Sequence, residues 1–599
     1  MDKKQNFFLV LLQGINIIRI IIVNIVFFVL LFVAFSFLLA LPSAKKNPVQ
    51  IGYGTILEIS PSGIIGEKED EYSWLDVIFS EGRRTSRISE IISAIREAAF
   101  DERVEGLYFD FSYLSGLSSS HLTELKEAIK VFKDSEKPIW AYSSFYGIKD
   151  YYIASFANKI GLDPLGEVSL QGFASESLYY KGMEEKFGIK FQTFQAGEYK
   201  GAAEPFSRTE MSEQVRENLS SMLFDMWNVY LKDVSNNIGK SEESIKSFAE
   251  KPYELLLKHA GDEARMAQAE GFITDILTES EFREKMEKEC SNLSGEALNF
   301  VSYVNYIKNI NKKKVQNKIA VIYLNGAITS SGKSNRNADV AISYEVESMF
   351  EKAMHDDYVK AIVLRVDSGG GEVFASELIR RSLIKAKEEY EKPVVVSMAS
   401  VAASGAYWIS SAADYVFATP FTITGSIGVL AMTTNFQELL RDKLGITSDS
   451  VGVLKNTYSS IKPLTEEQIM KISLSIDSTY NLFLETVSKG RSIDKAKVKD
   501  MAGGRVYSGE RAKALGLVDE IGTFQDAINK AASLSEIEDF NVIEIKKEPT
   551  PMRQFINTLM RQENSYFDIG TIKGVFELLN LKDKKGIYAY TPLRLMWAK

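Results

Sequence analysis

Pro393-Val-Val-Val-Ser-Met-Ala-Ser-Val-Ala-Ala-Ser-Gly-Ala-Tyr-Trp-Ile-Ser-Ser-Ala-Ala-Asp414 starts as a β-branched run, thins to small residues and ends with helical spacing of Tyr407, Ile409 and Ala413. The pattern predicts a buried strand, a tight turn and a helix. Ser404 falls where the helix begins, between Ala403 and Gly405, so its hydroxyl projects from a turn with little bulk around it and with helix N–H groups nearby. Two readings fit that position: an N-capping serine, which is common at such junctions, and a nucleophile.

Working outward, Ala361-Ile-Val-Leu-Arg-Val-Asp-Ser-Gly-Gly-Gly-Glu-Val373 is a second buried-type strand, and it runs into three consecutive glycines. Glycine is the residue of close backbone approach. One strand end with exposed N–H groups and another with a serine are the parts of an acyl-transfer site, an oxyanion hole and a nucleophile.

The same stretches also reveal an internal repeat. Asp101-Glu-Arg-Val-Glu-Gly-Leu-Tyr-Phe-Asp-Phe111 resembles Asp356-Asp-Tyr-Val-Lys-Ala-Ile-Val-Leu-Arg-Val366, and Glu136-Lys-Pro138 matches Glu391-Lys-Pro393, each pair at an offset of 255. Tyr152, Ser155 and Ala157 match Tyr407, Ser410 and Ala412 in the same register. Two copies of one α/β unit follow, with strands and helices alternating as in a parallel sheet with crossover helices. The expected organisation is residues 49–310 for copy one, 311–318 for a basic linker, 319–548 for copy two and 549–599 for a tail to which no chemistry is assigned.

The repeat works as an internal control. At offset 255 the counterpart of Ser404 is Lys149, and those of Gly369 and Gly370 are Leu114 and Ser115; only Gly371 keeps a glycine, Gly116. Copy one therefore carries the scaffold without the nucleophile, which favours a chemical role for Ser404 over a folding role.

A serine nucleophile needs a proton acceptor. The chain has three histidines, His121, His259 and His355, each in a charged, helix-like context. Lysine is the other candidate, once burial lowers its pKa from about 10.4 toward 7 or 8. Lys200, in Gln195-Ala-Gly-Glu-Tyr-Lys200, and Lys455, in Gly452-Val-Leu-Lys-Asn456, are counterparts at offset 255. Each stands 51 positions beyond its copy's residue at the serine position, so spacing alone does not choose between them.

Composition narrows the class. The 599 residues are 45% hydrophobic and 25% charged, values for a multi-domain globular chain with a large core. A net charge of −9 gives no reason to expect nucleic acid. The lone Cys290 excludes an internal disulfide framework and a cysteine-rich metal site. Metal and nucleotide cofactors are not implied, since there is no P-loop and Gly369 to Gly371 form no dinucleotide fingerprint. Residues 20–41 are almost wholly apolar, long enough for about 30 Å of hydrocarbon, with only Asn24 and Ser36 polar. Residues 1–48 are thus expected to form a short cytoplasmic N-terminus and an uncleaved transmembrane helix. Lys3, Lys4 and Arg19 before the span, against Lys45 and Lys46 after it, lean toward a cytoplasmic N-terminus and an extracytoplasmic remainder.

Taken together, the anchor, the duplication and four motifs resemble the long, two-repeat form of the bacterial signal peptide peptidase A family. The motifs are Ala402-Ala-Ser-Gly-Ala-Tyr-Trp408, Thr424-Gly-Ser-Ile-Gly-Val429, Tyr199-Lys-Gly-Ala-Ala-Glu-Pro-Phe206 and Ser508-Gly-Glu-Arg-Ala-Lys-Ala-Leu-Gly-Leu-Val518. This resemblance implies two tandem ClpP/crotonase-like repeats and a Ser–Lys serine endopeptidase that cuts spent signal peptides at the inner membrane, its catalytic part on the periplasmic side. It also implies a homotetramer. By the same resemblance the serine is Ser404, the base is Lys200 from copy one, and the oxyanion donors are N–H groups of Gly371, Gly370 and Gly405. Lys455 keeps open the arrangement of single-copy relatives, in which the lysine follows the serine. Ser426 is read either as orienting the lysine or as a turn residue. Where relatives commonly carry Asn-Ser-Pro-Gly-Gly, this chain has Asp367-Ser-Gly-Gly-Gly371, without proline's fixed φ. Two rival functions are an acyl-CoA enzyme of the crotonase type and an inactive membrane scaffold.

Overall fold

The computed structural model describes residues 19–20, 23–31, 51–67, 85–294, 298–310, 315–330, 340–449, 451 and 458–546. Residues 50–69 and 84–547 belong to one compact unit, which contains both repeats. Outside it, residues 19–20 and 23–31 are helical, with Val23, Ile25, Phe27, Phe28 and Leu30 exposed. Most of the expected 20–41 span lies outside the described residues, and among the described residues no helix is long and apolar enough to cross a membrane.

Each copy is built on its own sheet, and the two sheets have matching strand orders. In copy one the order is Asn299–Ser302, Thr55–Ile59, Val104–Asp110, Ile139–Tyr146, Lys159–Val168, Asp275–Ile276, all parallel. In copy two Asn541–Glu544, Lys318–Asn325, Val359–Ser368 and Val394–Ala403 follow one another in parallel; Tyr415–Ala418 and Glu520–Ile521 complete the series. Central strands covered on both faces need unbroken apolar runs. Val394, Val395 and Val396 accordingly have no exposed surface, nor do Ile362, Val363 and Leu364.

Copy two departs from copy one at one edge, by an added antiparallel strand. Ile423–Gly425 pairs in parallel with the end of Val394–Ala403, as Val168 does with Tyr146 in copy one, and also antiparallel with Val506–Ser508. This edge carries side chains into the other copy: Phe421, in the turn before the first of these strands, is buried in the core of copy one, packed on Tyr152 and Phe173, and Ile423 and Val506 line it. In return Phe194 and Ala196 of copy one are buried in the core of copy two.

Polar contacts join the copies as well. Arg365, wholly buried in the strand that leads to the triple glycine, donates through Nε to Glu67 at 3.1 Å and through Nη1 to Ser397 at 2.8 Å. Its Nη2 lies 2.7 Å from Glu124, and His121 Nε2 lies 3.0 Å from Glu67. Burial alone would raise the Glu67 carboxyl, yet Arg365 and His121 hold it well below the usual carboxylate range, whereas burial pushes Glu124 up. Further along, Asn218 pairs with Val506 as a strand would, its Nδ2 donating to the carbonyl and its Oδ1 accepting from the N–H, both at 2.9 Å. Asp225, on the same helix Glu213–Ile238, accepts from Ser508 and Arg511.

Candidate active site

Strand Val394–Ala403 ends at the serine, and helix Gly405–Ser410 begins directly after it. Ser404 has φ 56° and ψ −119°, a conformation that a residue with a Cβ adopts only when its surroundings impose it. Two backbone bonds impose it here: Ser404 N–H donates to Gly425 O at 2.9 Å, and Ser404 O accepts from Trp408 N–H at 2.9 Å. The side chain caps nothing. Its hydroxyl points instead at a lysine, which disposes of the N-cap reading.

The triple glycine lies beside this turn because Ser368 pairs with Ala402 across the sheet. Gly370 has φ 97°, and a Cβ there would sit 2.6 Å from Gly405 N and 2.9 Å from Ser404 Cβ. At Gly371 a Cβ would fall 2.0 Å from Ile328 O, and at Gly405 it would fall 2.4 Å from Ser376 Oγ and 3.2 Å from Gly371 N. Bare backbone from two strand ends therefore meets beside the serine. No acceptor among the described residues takes the N–H of Gly371 or Gly405. Gly370, expected as a donor, differs: its N–H donates to Ser368 Oγ at 3.1 Å. Its part is to let the loop pass close to Ser404, and the free donors are those of Gly371 and Gly405.

Lys200 arrives from the other copy. Strand Lys190–Ala196 pairs antiparallel with Val429–Asn435 along all seven residues, from Ala196 opposite Val429 to Lys190 opposite Asn435. Beyond that ribbon the chain turns at Gly197, φ 120°, whose missing Cβ would lie 2.6 Å from Gly503, and reaches Lys200. Lys200 Nζ lies 2.9 Å from Ser404 Oγ, 2.8 Å from Ser426 O and 2.9 Å from Ser426 Oγ. Only 5% of Lys200 is exposed. Burial lowers its pKa to about 8, and no carboxylate counters the shift. An ammonium at this place donates to all three oxygens; the neutral amine accepts from the Ser404 hydroxyl and keeps two N–H groups for Ser426.

Ser426 is both in a turn and in contact with the lysine. It occupies a positive-φ turn, φ 51°, with its N–H donating to Arg505 O at 2.6 Å, and it accepts from Lys200 through two oxygens. Lys455 lies outside the described residues. The position equivalent to Ser404 in copy one holds Lys149, which donates to Leu117 O at 2.8 Å. His121 faces Glu67, His259 lies 3.8 Å from Glu270, and His355 contacts Glu351 and Tyr390. Among the described residues no group of three or more His, Cys, Asp or Glu side chains could hold a metal ion.

One segment of the site escaped the sequence reading. Residues 503–505, Gly-Gly-Arg, run between the lysine turn and the Ser426 turn: Tyr199 N–H donates to Gly503 O, Gly504 N–H donates to Ile427 O, and a Cβ on Gly504 would sit 2.6 Å from Lys200 N. The signal was present as two adjacent glycines just before the Ser508 motif, but only the tertiary fold shows what they approach.

Comparison with known proteins gives the family. A family model described as Peptidase family S49 matches residues 131–287 and 386–538, one stretch in each copy. The chain is 36% identical over 544 residues to Protease 4 of Haemophilus influenzae, covering 88% of this chain and 87% of that protein. It is 33% identical over 553 residues to Protease 4 of Salmonella typhi, covering 91% and 88%. With the chloroplastic serine protease SPPA of Arabidopsis thaliana it shares 27% identity over 547 residues, 88% of this chain and 76% of that protein.

Proposed function

The chain belongs to peptidase family S49, as a two-repeat serine peptidase, and on that premise we propose that it is a membrane-anchored endopeptidase with a Ser404–Lys200 dyad, folded as two ClpP/crotonase-like repeats, that degrades cleaved signal peptides and other apolar, extended peptides. The observation that carries this reading is the 2.9 Å contact between the buried Lys200 amine and the Ser404 hydroxyl.

Neutral Lys200 takes the proton of Ser404 as Oγ attacks the scissile carbonyl. The oxyanion that develops is held by the N–H groups of Gly371 and Gly405, which have no other acceptor among the described residues and need no reorganisation. The protonated lysine then gives its proton to the leaving amine, and the ester on Ser404 is hydrolysed by water deprotonated by the same amine. Ser426 keeps the amine aimed through both charge states, because its carbonyl and hydroxyl oxygens accept from the amine or the ammonium. A lysine with a pKa near 8 is about one-tenth neutral at pH 7, enough for a base that also has to act as an acid.

Anchoring rests on the apolar 20–41 stretch, and the exposed apolar side chains of residues 23–31 support it. A single-pass protein of the cytoplasmic membrane, with the dyad on the extracytoplasmic side, would meet spent signal peptides where they are released. The homotetramer is part of the same proposal. Incubation of the full-length protein in detergent with a synthetic signal peptide tests the activity: cleavage inside the apolar segment, lost in Ser404→Ala, is expected, and undiminished cleavage by Ser404→Ala would refute it.

A further inference from the structure

Arg505 stands where both walls of the amine site meet. Its carbonyl accepts the N–H of Ser426 at 2.6 Å, so it fixes the residue that supplies two of the three oxygens around Lys200. Its guanidinium lies 3.7 Å above the ring centroid of Tyr199, the residue directly before Lys200. Nη1 donates to Asp500 O at 2.8 Å and lies 3.5 Å from Ala502 O. No carboxylate pairs with Arg505 among the described residues, so its charge is met by two carbonyls and one aromatic face. Tyr199 is held from behind as well, its N–H donating to Gly503 O at 2.8 Å. The loop itself is moored to copy one where Asn218 pairs with Val506.

We propose that Arg505 is a positioning residue for the base: its guanidinium, stacked on Tyr199, clamps the Lys200 turn of copy one against the Ser426 turn of copy two. The proposal rests on Lys200 being the base. Sequence separation makes such a clamp necessary, because the amine is delivered by a glycine-hinged turn from one repeat to a serine of the other. A lysine side chain has four rotatable bonds, and a turn free to shift would bring water to the amine. Water would restore its ordinary, higher pKa and reduce the neutral fraction. The groups around the amine are the Ser404 and Ser426 oxygens; the ionisable groups on the packed segments are Glu198, Tyr199 and Glu204 beside it in sequence, and Arg505 and Tyr507 on the loop.

The experiment is a set of pH–rate profiles for peptide cleavage by the full-length protein carrying Arg505→Ala, Arg505→Lys, Tyr199→Phe, Tyr199→Leu or the double change Arg505→Ala/Tyr199→Leu, with Lys200→Ala in parallel. Tyr199→Phe keeps the stack and stays near wild type. Arg505→Ala and Tyr199→Leu each lower kcat roughly tenfold, between what exposed and fully desolvated cation–π contacts provide, as suits two half-buried residues, with KM little changed. In both, the rising limb moves to higher pH, a shift that a mere loss of folded protein would not produce. The double variant is no worse than the poorer single one, since the two residues make one contact. Unshifted limbs, or losses that add in the double variant, overturn the proposal. If Arg505→Ala does not fold, the contrast between Tyr199→Phe and Tyr199→Leu decides. Full activity in Lys200→Ala would instead overturn the lysine mechanism beneath it.

Discussion

Lys200 and Ser404 are 204 positions apart in the chain, and their side chains meet at 2.9 Å. The duplication makes that contact possible. Each copy keeps the strand–turn–helix, but only copy two retains the serine, and only an antiparallel ribbon formed by one strand from each copy carries the copy-one lysine to it.

The pH dependence of cleavage follows from the lysine. Burial lowers its pKa to about 8, and in the proposed mechanism the neutral form is the reactive one. The rate constant kcat/KM should therefore rise with pH and level off above about 8. A flat profile between pH 6 and 9 would be incompatible with Lys200 as the titrating base.

The same shift has a sign for stability. Lys200 binds its proton less tightly in the folded chain, at about 8, than the ordinary 10.5, so the unfolded state holds more protons between those values and folding stability rises with pH across that window. Lys200→Met removes the buried charge and should be more stable than wild type at pH 7, by up to ~3 kcal/mol before the lost hydrogen bonds are deducted. That advantage should shrink as pH climbs from 8 toward 10.5, as denaturant unfolding at several pH values will show.

Gly371→Ala places a methyl group 2.0 Å from Ile328 O, so the oxyanion loop must move. Loss of one aligned donor lowers kcat by about 100-fold or more. Active-site titration that counts folded, reactive Ser404 separates this loss from simple unfolding.

Glu67→Ala removes one of the two carboxylates that meet the buried Arg365 and leaves Glu124 as its remaining acidic partner, and such unpairing costs roughly 3 kcal/mol. In the wild type the Glu67 carboxylate is held below its ordinary value of 4.5, so its contribution is complete above that pH and is lost as the pH falls further. A lower denaturant midpoint at pH 7 for the variant, with a smaller drop than wild type on acidification below 4.5, is the expected pair of results.

Much of the scaffold and part of the site were legible in the chain. The Val394–Ala403 strand declared itself because a strand covered on both faces must be apolar throughout, and the 255-residue offset exposed the repeat without any relative. Ser404 was marked by small neighbours and by its absence from copy one. What could not be read was reach: Lys200 and Lys455 occupy equivalent positions, and only the pairing of Ala196 with Val429 shows how Lys200 comes to Ser404. Gly370 was expected as a donor from the family resemblance; the Ser368 hydroxyl that takes its N–H is a matter of side-chain geometry. Arg505 was invisible for the same reason, since its partner Tyr199 lies in the other copy.

The central claim is that serine and base come from different copies, and one comparison tests it directly: signal-peptide cleavage by wild type, Ser404→Ala, Lys200→Ala and Lys455→Ala, each verified as folded. The account predicts that Ser404→Ala and Lys200→Ala lose activity by at least about 1,000-fold while Lys455→Ala stays near wild type. Activity that survives Lys200→Ala but disappears in Lys455→Ala would contradict it and move the base into copy two.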